Sequence, residues 1–440
     1  MYQWLEFKIN TKFTQIKLKP QNLQTSWPSE VNVLLKKYTG VPGTQEKSNS
    51  HIFKLFFRYF QQLTPINYIF ENHKMRKRIE YFYSSKLFFQ LPEGMGRYYE
   101  DLVQIFKKTT RTILSIYVSC QVTYGACCIQ DCLANNFGSS LILHYGHSCL
   151  TSILNCVCQI IYIFVEIKYD FSLLIESIGG IFCAYRDKLI IGSTIQFSSE
   201  LKPIKDYLSR MFKNLHIPQT KPLSPGELLG CTSFMTKNHS GAIYIGDGKF
   251  HIESILFFNP NIKIIQFNPF IRSLTLLGFK SLETLSEREC FIEKAIFSLK
   301  SCNFIFGVLG RQGNMKILKT IKFLAIKKKL QQNTYTTAEI SNKNLNILNR
   351  NSKEIWVQLS CPRLSLDWGF FFKNLLLTPF EFGVLTRSTK FKKNNVPMDF
   401  YSQKGKFWSN YLALKTKFNI AKPVKIFFIY KHHTYLKNFI

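Results

Sequence analysis

Acidic side chains are scarce in this chain: 27 Asp and Glu stand against 58 Lys and Arg over 440 residues, a formal charge of +31. Charged residues of both signs reach only 19%, hydrophobic residues make up 46% and Phe alone numbers 41, which excludes a disordered polar chain and leaves material for a sizeable core. The first twenty residues carry charge throughout and lack an apolar run followed by small residues, so no secretory signal is read there. A membrane span is lacking too. The longest apolar stretch, Leu150–Ile167, holds Thr151, Ser152, Asn155 and Gln159, has Glu166 beside its end, and falls short of the ~20 apolar residues a span needs. A soluble, cytoplasmic protein with no membrane partner is the expectation. With no leader, the twelve cysteines are expected as reduced thiols, and Cys120, Cys156, Cys158, Cys183, Cys290 and Cys302, set among apolar neighbours, as buried small hydrophobes.

The basic excess alone points to nucleic acid, because clustered Lys and Arg release counterions from phosphates. The chain is, however, rich in Lys, Asn, Ile and Phe together, the mark of AT-rich codon drift, and it lacks the aromatic-rich strings of common RNA modules. No specific nucleic-acid partner is therefore expected, although Lys327–Lys329, Lys390–Lys393 and the last fifty residues offer basic surface.

At this length two to four domains are the starting expectation. From about Thr110, short β-branched runs are separated by polar or helical stretches: Ile113–Val118, Ile160–Ile167, Ile190–Ile195, Ala242–Ile245, Ile262–Gln266, Phe304–Val308 and Ile355–Gln358. That spacing predicts α/β units around a parallel sheet. Helices are predicted over Asn314–Lys329, with Ile317, Leu318, Ile321, Leu324 and Ala325 on one face, and over Leu201–Phe212, capped by Ser198–Ser199. A weak repeat appears around three cysteines. Cys127 precedes Leu141–His144, Cys231 precedes Ala242–Ile245, and Cys361 lies between Ile355–Gln358 and Leu375–Leu377, so each unit offers one cysteine at a strand end or helix start.

Ligands in open α/β sheets gather beyond the carboxyl ends of the strands, so three such cysteines would converge if the units packed about an approximate threefold axis. Three thiolates favour zinc or an iron–sulfur cluster. The intervals from 127 to 231 and from 231 to 361 match no zinc-finger spacing, and spacing alone leaves three unrelated thiols as the alternative.

The wording around the cysteines carries more. Val122-Thr123-Tyr124-Gly125-Ala126-Cys127-Cys128 is followed by Leu143-His144-Tyr145-Gly146-His147-Ser148-Cys149, then by Leu229-Gly230-Cys231-Thr232-Ser233 and Gly246-Asp247-Gly248-Lys249-Phe250-His251. Further on stand Leu309-Gly310-Arg311-Gln312-Gly313, Ser360-Cys361-Pro362-Arg363-Leu364-Ser365, Asp367-Trp368-Gly369, Leu377-Thr378-Pro379-Phe380-Glu381 and Pro397-Met398-Asp399-Phe400-Tyr401. In this order, from about Phe88 to Tyr401, the strings resemble the 2-(3-amino-3-carboxypropyl)histidine synthases, in particular the catalytic first subunit of the eukaryotic enzyme.

The resemblance implies three similar αβ domains with largely parallel sheets around a central [4Fe–4S] cluster. It divides the chain into an extension over 1–80, units over 81–170, 171–285 and 286–402, and a basic tail over 403–440. It implies Cys127, Cys231 and Cys361 as cluster ligands, with Cys128 the rival of Cys127 and Cys149 not a ligand. A cubane held by three thiolates keeps one iron open for the co-substrate, S-adenosylmethionine. Family chemistry then delivers a 3-amino-3-carboxypropyl radical equivalent to C2 of a histidine in translation elongation factor 2, with no protein base needed to start. Implied partners are a paralogous second subunit and a small iron protein as electron donor.

The turn Gly310, Arg311, Gln312, Gly313 lies between a predicted strand and helix, where amides and a guanidinium can face an anion such as the methionine carboxylate. A turn whose glycines only satisfy geometry is the other reading. His144, His147 and His251 are expected in structural or substrate-lining roles, and Asp247 and Glu253 either orient substrate or hold loops. Two departures stand out: Gln266-Phe267-Asn268-Pro269-Phe270 replaces a Tyr-Asp-Pro-Tyr-like string of the family, and Gln121 replaces an acid.

Overall fold

The computed structural model describes residues 64–411, apart from single residues and short stretches of which 346–353 is the longest, together with the short strands Phe7–Lys8, Phe427–Ile429 and Thr434–Tyr435. Within it one strand order is used three times.

The first sheet holds β1 (Lys86–Gln90), β2 (Ser115–Ser119), β3 (Leu141–Tyr145) and β4 (Gln159–Ile163), in the order β2-β1-β3-β4 and all parallel. The second repeats it with β5 (Leu189–Ser193), β6 (Leu215–His216), β7 (Gly241–Ile245) and β8 (Lys263–Asn268) in the order β6-β5-β7-β8, and adds antiparallel β9 (Ser273–Leu277) outside β8. The third has β10 (Ser301–Gly307), β11 (Gln331–Thr337), β12 (Ile355–Leu359) and β13 (Leu376–Leu377) in the order β11-β10-β12-β13. In each sheet the order reverses between the first and third strands, the place where doubly wound folds open a crevice.

Strands buried on both faces need continuous apolar runs, and β3, β7 and β12 are buried at every position. The crossovers are α1 (Tyr99–Thr109), α2 (Asp131–Asn136), α3 (Leu201–Leu208), α4 (Phe250–Phe258), α6 (Met315–Lys327) and α7 (Pro362–Trp368), while α5 (Leu282–Ser298) precedes β10 and α8 (Pro379–Leu385) follows β13. Each sheet has a separate apolar cluster on each face. For the first sheet these hold Leu87, Phe89 and Leu143 on one side and Phe88, Ile142 and Ile160 on the other. The largest cluster, under the third sheet, draws in Cys127, Cys128 and Leu150 from the first and Phe257 and Phe258 from the second.

Several expectations shift. The run Ile160–Ile167 is two strands, because the chain turns at Phe164, whose N–H donates to Glu71 at 3.1 Å, and Val165–Ile167 pairs antiparallel with Tyr68–Phe70. Through that ribbon Phe70, Met75 and Ile79 join the first sheet's core. The Leu201 helix stops at Leu208, and Ser198 does not cap it: its hydroxyl donates to Ile195 O within a 3₁₀ turn, Ile195–Glu200, that runs into α3. The other predicted helix holds as α6, with Asn314 as a true N-cap accepting from Lys316 N–H. Every described cysteine is a free thiol; Cys158 and Cys302 are buried, Cys120 and Cys156 partly so, and Cys290 is exposed on α5 rather than buried. Cys183 lies outside the described residues. No helix among the described residues is long and apolar enough to cross a membrane.

Candidate metal centre

The three cysteines arrive by different local routes. Cys361 follows β12 after one intervening residue, Ser360, and is the N-cap of α7, with Pro362 supplying the fixed φ of a first helical residue. Its carbonyl accepts from Gln358 Nε2 at 2.8 Å. Cys127 closes a turn at residues 125–127 between β2 and α2, set so close to the end of β3 that a Cβ on Gly125 would fall on the His147 ring. Cys231 sits in a tight turn between β6 and β7, closed by Leu229 and Thr232 exchanging backbone hydrogen bonds at 3.0 and 3.3 Å. The Phe400 N–H reaches the Cys231 carbonyl at 3.2 Å. One cysteine per sheet therefore holds, but only Cys361 stands at a strand end and helix start; the other two are turn residues.

These turns face one another. Burial, then the neighbouring Cys361 and Cys127, hold the Cys231 thiol well above its usual range, and burial followed by Cys127 pushes Cys361 up to about 12. Cys127 is raised by its hydrogen bond with Cys128 and by burial. Cys127 lies in the field of the other two. The Tyr401 hydroxyl sits among all three thiols, buried and without a well-aligned hydrogen-bond partner. Three thiols that resist ionisation in one buried spot become thiolates only when positive charge compensates them. Tetrahedral zinc would require sulfurs about 3.8 Å apart, from a Zn–S distance of about 2.3 Å. Among the described residues no three His, Cys, Asp or Glu side chains gather closely enough for a single ion. A soft, all-thiolate donor set is the kind that holds an iron–sulfur cluster, and the chemistry of these residues fits such a group.

The turn from Gly310 to Gly313 closes over this site. Gly310 has φ +56°, and a Cβ there would lie 2.6 Å from Cys128 Cα and 2.9 Å from the Cys127 carbonyl. Arg311 N–H donates to that carbonyl at 2.8 Å, while the Arg311 guanidinium pairs with the buried carboxylate of Asp131 at the start of α2. The backbone oxygens of Arg311 and Gln312 both accept from Asn410 Nδ2, each at 3.1 Å. The Arg311 amide is thus engaged by the Cys127 carbonyl and one nitrogen of its guanidinium by Asp131. Gln312 is the member that faces the thiols. It is 2% exposed, and its Nε2 lies 3.7 Å from Cys127 Sγ and 3.8 Å from Cys128 Sγ.

Residues whose roles sequence reasoning missed complete the surround. Arg363, two positions after Cys361, is buried; it donates to Asp367, Glu253 and the carbonyl of Gly230, next to Cys231, and lies 4.3 Å over the Phe250 ring. Glu253 therefore holds this brace. Asp247 is exposed. Glu227, on the loop leading to Cys231, accepts from the Ser148 hydroxyl of the first unit. His147 Nδ1 contacts the Tyr145 carbonyl at 2.8 Å, whereas both ring nitrogens of buried His144 lack partners, and burial followed by the nearby His147 holds His144 down at about 3. Burial and then Arg363 hold His251 at about 4. A legible signal existed for Arg363 and Tyr401, which stand in strings already singled out, but nothing in those strings said that they meet.

Comparison with known proteins identifies the family. Residues 91–397 match the family described as "Putative diphthamide synthesis protein". The chain is 38% identical over 362 residues to 2-(3-amino-3-carboxypropyl)histidine synthase subunit 1 of Dictyostelium discoideum, covering 80% of this chain and 75% of that one. It is 36% identical to the subunit 1 of Homo sapiens, over 78% of this chain and 77% of the human one. Among solved structures it superposes on Dph2 from Pyrococcus horikoshii with a 4Fe-4S cluster at a TM-score of 0.61 and 22% identity, over 74% of this chain and 93% of that chain. A second Dph2 structure from the same organism gives 0.59 at 23% identity, over 73% and 92%. The α/β fold is thus shared with the archaeal protein, and the chain belongs to the diphthamide synthesis family as a relative of 2-(3-amino-3-carboxypropyl)histidine synthase subunit 1.

Proposed function

We propose that this chain is the cluster-bearing subunit of a protein-histidine aminocarboxypropyltransferase, moving the 3-amino-3-carboxypropyl group of S-adenosylmethionine to C2 of a histidine in translation elongation factor 2. The observation that carries the reading is the gathering of the Cys127, Cys231 and Cys361 segments, with Gln312 touching Cys127 and Ser360, and Arg363 touching Gly230, from three units whose sheets share one strand order. The relatives' names and the cluster in the archaeal neighbour support it. Held by these three thiolates, a [4Fe–4S] cluster would supply a binding place for the methionine end of S-adenosylmethionine and the electron needed for cleavage between its sulfur and γ-carbon.

The chain's own residues hold and enclose the centre. The three thiols bind; Arg363 ties the Cys361 helix to the Cys231 turn; Gly310 lets the 310–313 turn reach Cys127 and Cys128. Arg311, held to Asp131 through one guanidinium nitrogen, keeps further N–H donors for a methionine carboxylate. The three αβ units surround the cluster, a paralogous second subunit completes a heterodimer, a small iron protein supplies electrons, and the reaction takes place in the cytoplasm.

Anaerobic reconstitution tests the reading. Cys127→Ala, Cys231→Ala and Cys361→Ala should each take up less iron and sulfide, while Cys156→Ala and Cys302→Ala match the parent, and only cluster-loaded protein should transfer label from S-adenosylmethionine to elongation factor 2. Equal iron in all five variants sinks the assignment.

A further inference from the structure

The buried side chain of Gln312 joins two of the three cysteine segments by hydrogen bonds. Its Oε1 accepts from the Ser360 hydroxyl, on the residue immediately before Cys361. Its Nε2 lies 3.7 Å from Cys127 Sγ and 3.8 Å from Cys128 Sγ, within reach for N–H to sulfur. A primary amide has two N–H groups, so one nitrogen can serve both sulfurs. With the Ser360 hydroxyl donating to Oε1, Nε2 is the end of the amide that faces the thiols, and a metal-bound thiolate, which can only accept, favours that orientation. A thiolate bound to metal carries no proton, so only a donor sits favourably beside it, and an oxygen in that place would meet a second negative atom.

The surroundings hold the amide still. Gln312 is 2% exposed and Ser360 4%. The Gln312 carbonyl accepts from Asn410 at 3.1 Å, and Ser360 N–H donates to Gln358 Oε1 at 2.7 Å. On the far side Cys128 is fixed as well, its carbonyl accepting from Gln90 Nε2 at 2.6 Å at the end of β1. Reduction adds negative charge to an iron–sulfur centre and to its ligand sulfurs, so a donor held against one of them favours the reduced form. Hydrogen bonds to the sulfurs are among the protein's levers on potential.

We infer that Gln312 is a positioning residue that hydrogen-bonds the Cys127 thiolate and thereby sets the reduction potential of the centre. The inference rests on the proposed function above, and it gives this residue of the 310–313 turn a task directed at the ligand sulfur rather than at a substrate anion. Its partner Ser360 orients the amide and acts only through it.

The test is a redox titration of the anaerobically reconstituted protein, followed by absorbance and by electron paramagnetic resonance. Gln312→Met keeps volume and removes the donors; Ser360→Ala keeps the amide and removes its orienting partner. The expected result is parent-like iron content in both variants, a midpoint potential displaced to more negative values in Gln312→Met, and a smaller displacement of the same sign in Ser360→Ala. The iron–cysteine stretching bands should rise in the same order as the hydrogen bond to sulfur is lost. An unchanged potential in Gln312→Met at parent iron content overturns the inference. Should Gln312→Met fail to load, Ser360→Ala decides by the same criterion, and loss of iron from both would show a purely structural brace, which also overturns it. A parent protein that takes up no cluster counts against the proposed function instead.

Discussion

Gly310 decides how closely the third sheet's loop approaches the first ligand. Its φ of +56° is a conformation that costs an L side chain roughly 1–3 kcal/mol, and a Cβ there would press on backbone, on Cys128 Cα at 2.6 Å and the Cys127 carbonyl at 2.9 Å. Backbone atoms cannot swing aside as a side chain can. Gly248 is the natural control, since it has φ +67° but nothing within 4 Å of the place a methyl group would take. Gly310→Ala should therefore lose stability in urea by more than Gly248→Ala, whose cost is the conformational one of about 1 kcal/mol. It should also lower iron uptake, while Gly248→Ala keeps it. Equal urea midpoints for the two variants would show that the turn yields to the methyl group. The residue scale is also where sequence reasoning ran thinnest. The strings containing Gly310, Gln312 and Tyr401 were visible, but Gln312 meets Cys127 across 185 positions of sequence, and no local pattern announces a partner at that distance.

Between elements, polar pairs buried in the third unit take over from the apolar clusters. Arg288 on α5 is 1% exposed and Glu381 on α8 is fully buried; they share two hydrogen bonds, at 2.6 and 2.8 Å. Glu381 is also the third helical residue and partner in the capping box of α8, accepting from Thr378 N–H at 2.7 Å, and Arg288 further reaches the carbonyls of Ser365 on α7 and Leu376 on β13. One guanidinium thereby ties four elements together. Removing one partner of a buried pair leaves an uncompensated charge, at a cost of about 3–5 kcal/mol. Arg288→Met should lower stability by that order, and adding Glu381→Gln should return part of the loss. A double variant as unstable as the sum of the two single changes would show that the groups are not energetically coupled. At this scale the sequence was most readable where apolar runs are continuous, as in β7 and β12. The strand β11, Gln331–Thr337, was invisible because its residues are Gln, Asn, Thr and Tyr, which pair well in a ladder without any apolar pattern. The opening strand β1 begins with Lys86 and ends with Gln90 in a stretch of alternating aromatic and basic residues, which hides a run that is buried from Leu87 onward.

For the molecule as a whole, the question is what keeps three sheets facing one centre. Beside the apolar cluster that all three units share and the backbone hydrogen bonds between residues 396–400 and the second unit, three polar ties stand out: Ser148 to Glu227 joins the first and second units, Arg363 to Glu253 and Gly230 joins the third to the second, and Arg311 to Asp131 and Cys127 joins the third to the first. All three meet beside a cysteine turn. A cluster held by Cys127, Cys231 and Cys361 would span the same three segments, far apart in the chain, and would bind only the folded arrangement. A ligand that binds the folded state alone adds stability by mass action, about 2.7 kcal/mol when free ligand stands at roughly 100 times its dissociation constant. Removing iron by chelation under reducing conditions should therefore lower the melting temperature of the parent protein. The same treatment should leave Cys361→Ala unmoved, because that variant has already lost the link between the third unit and the others. The comparison separates cross-linking from a general effect of the chelator, which would shift both proteins alike. Identical melting curves for loaded and stripped parent would mean that the shared apolar cluster and the polar ties hold the three turns together by themselves, with the centre a passenger in a site already closed.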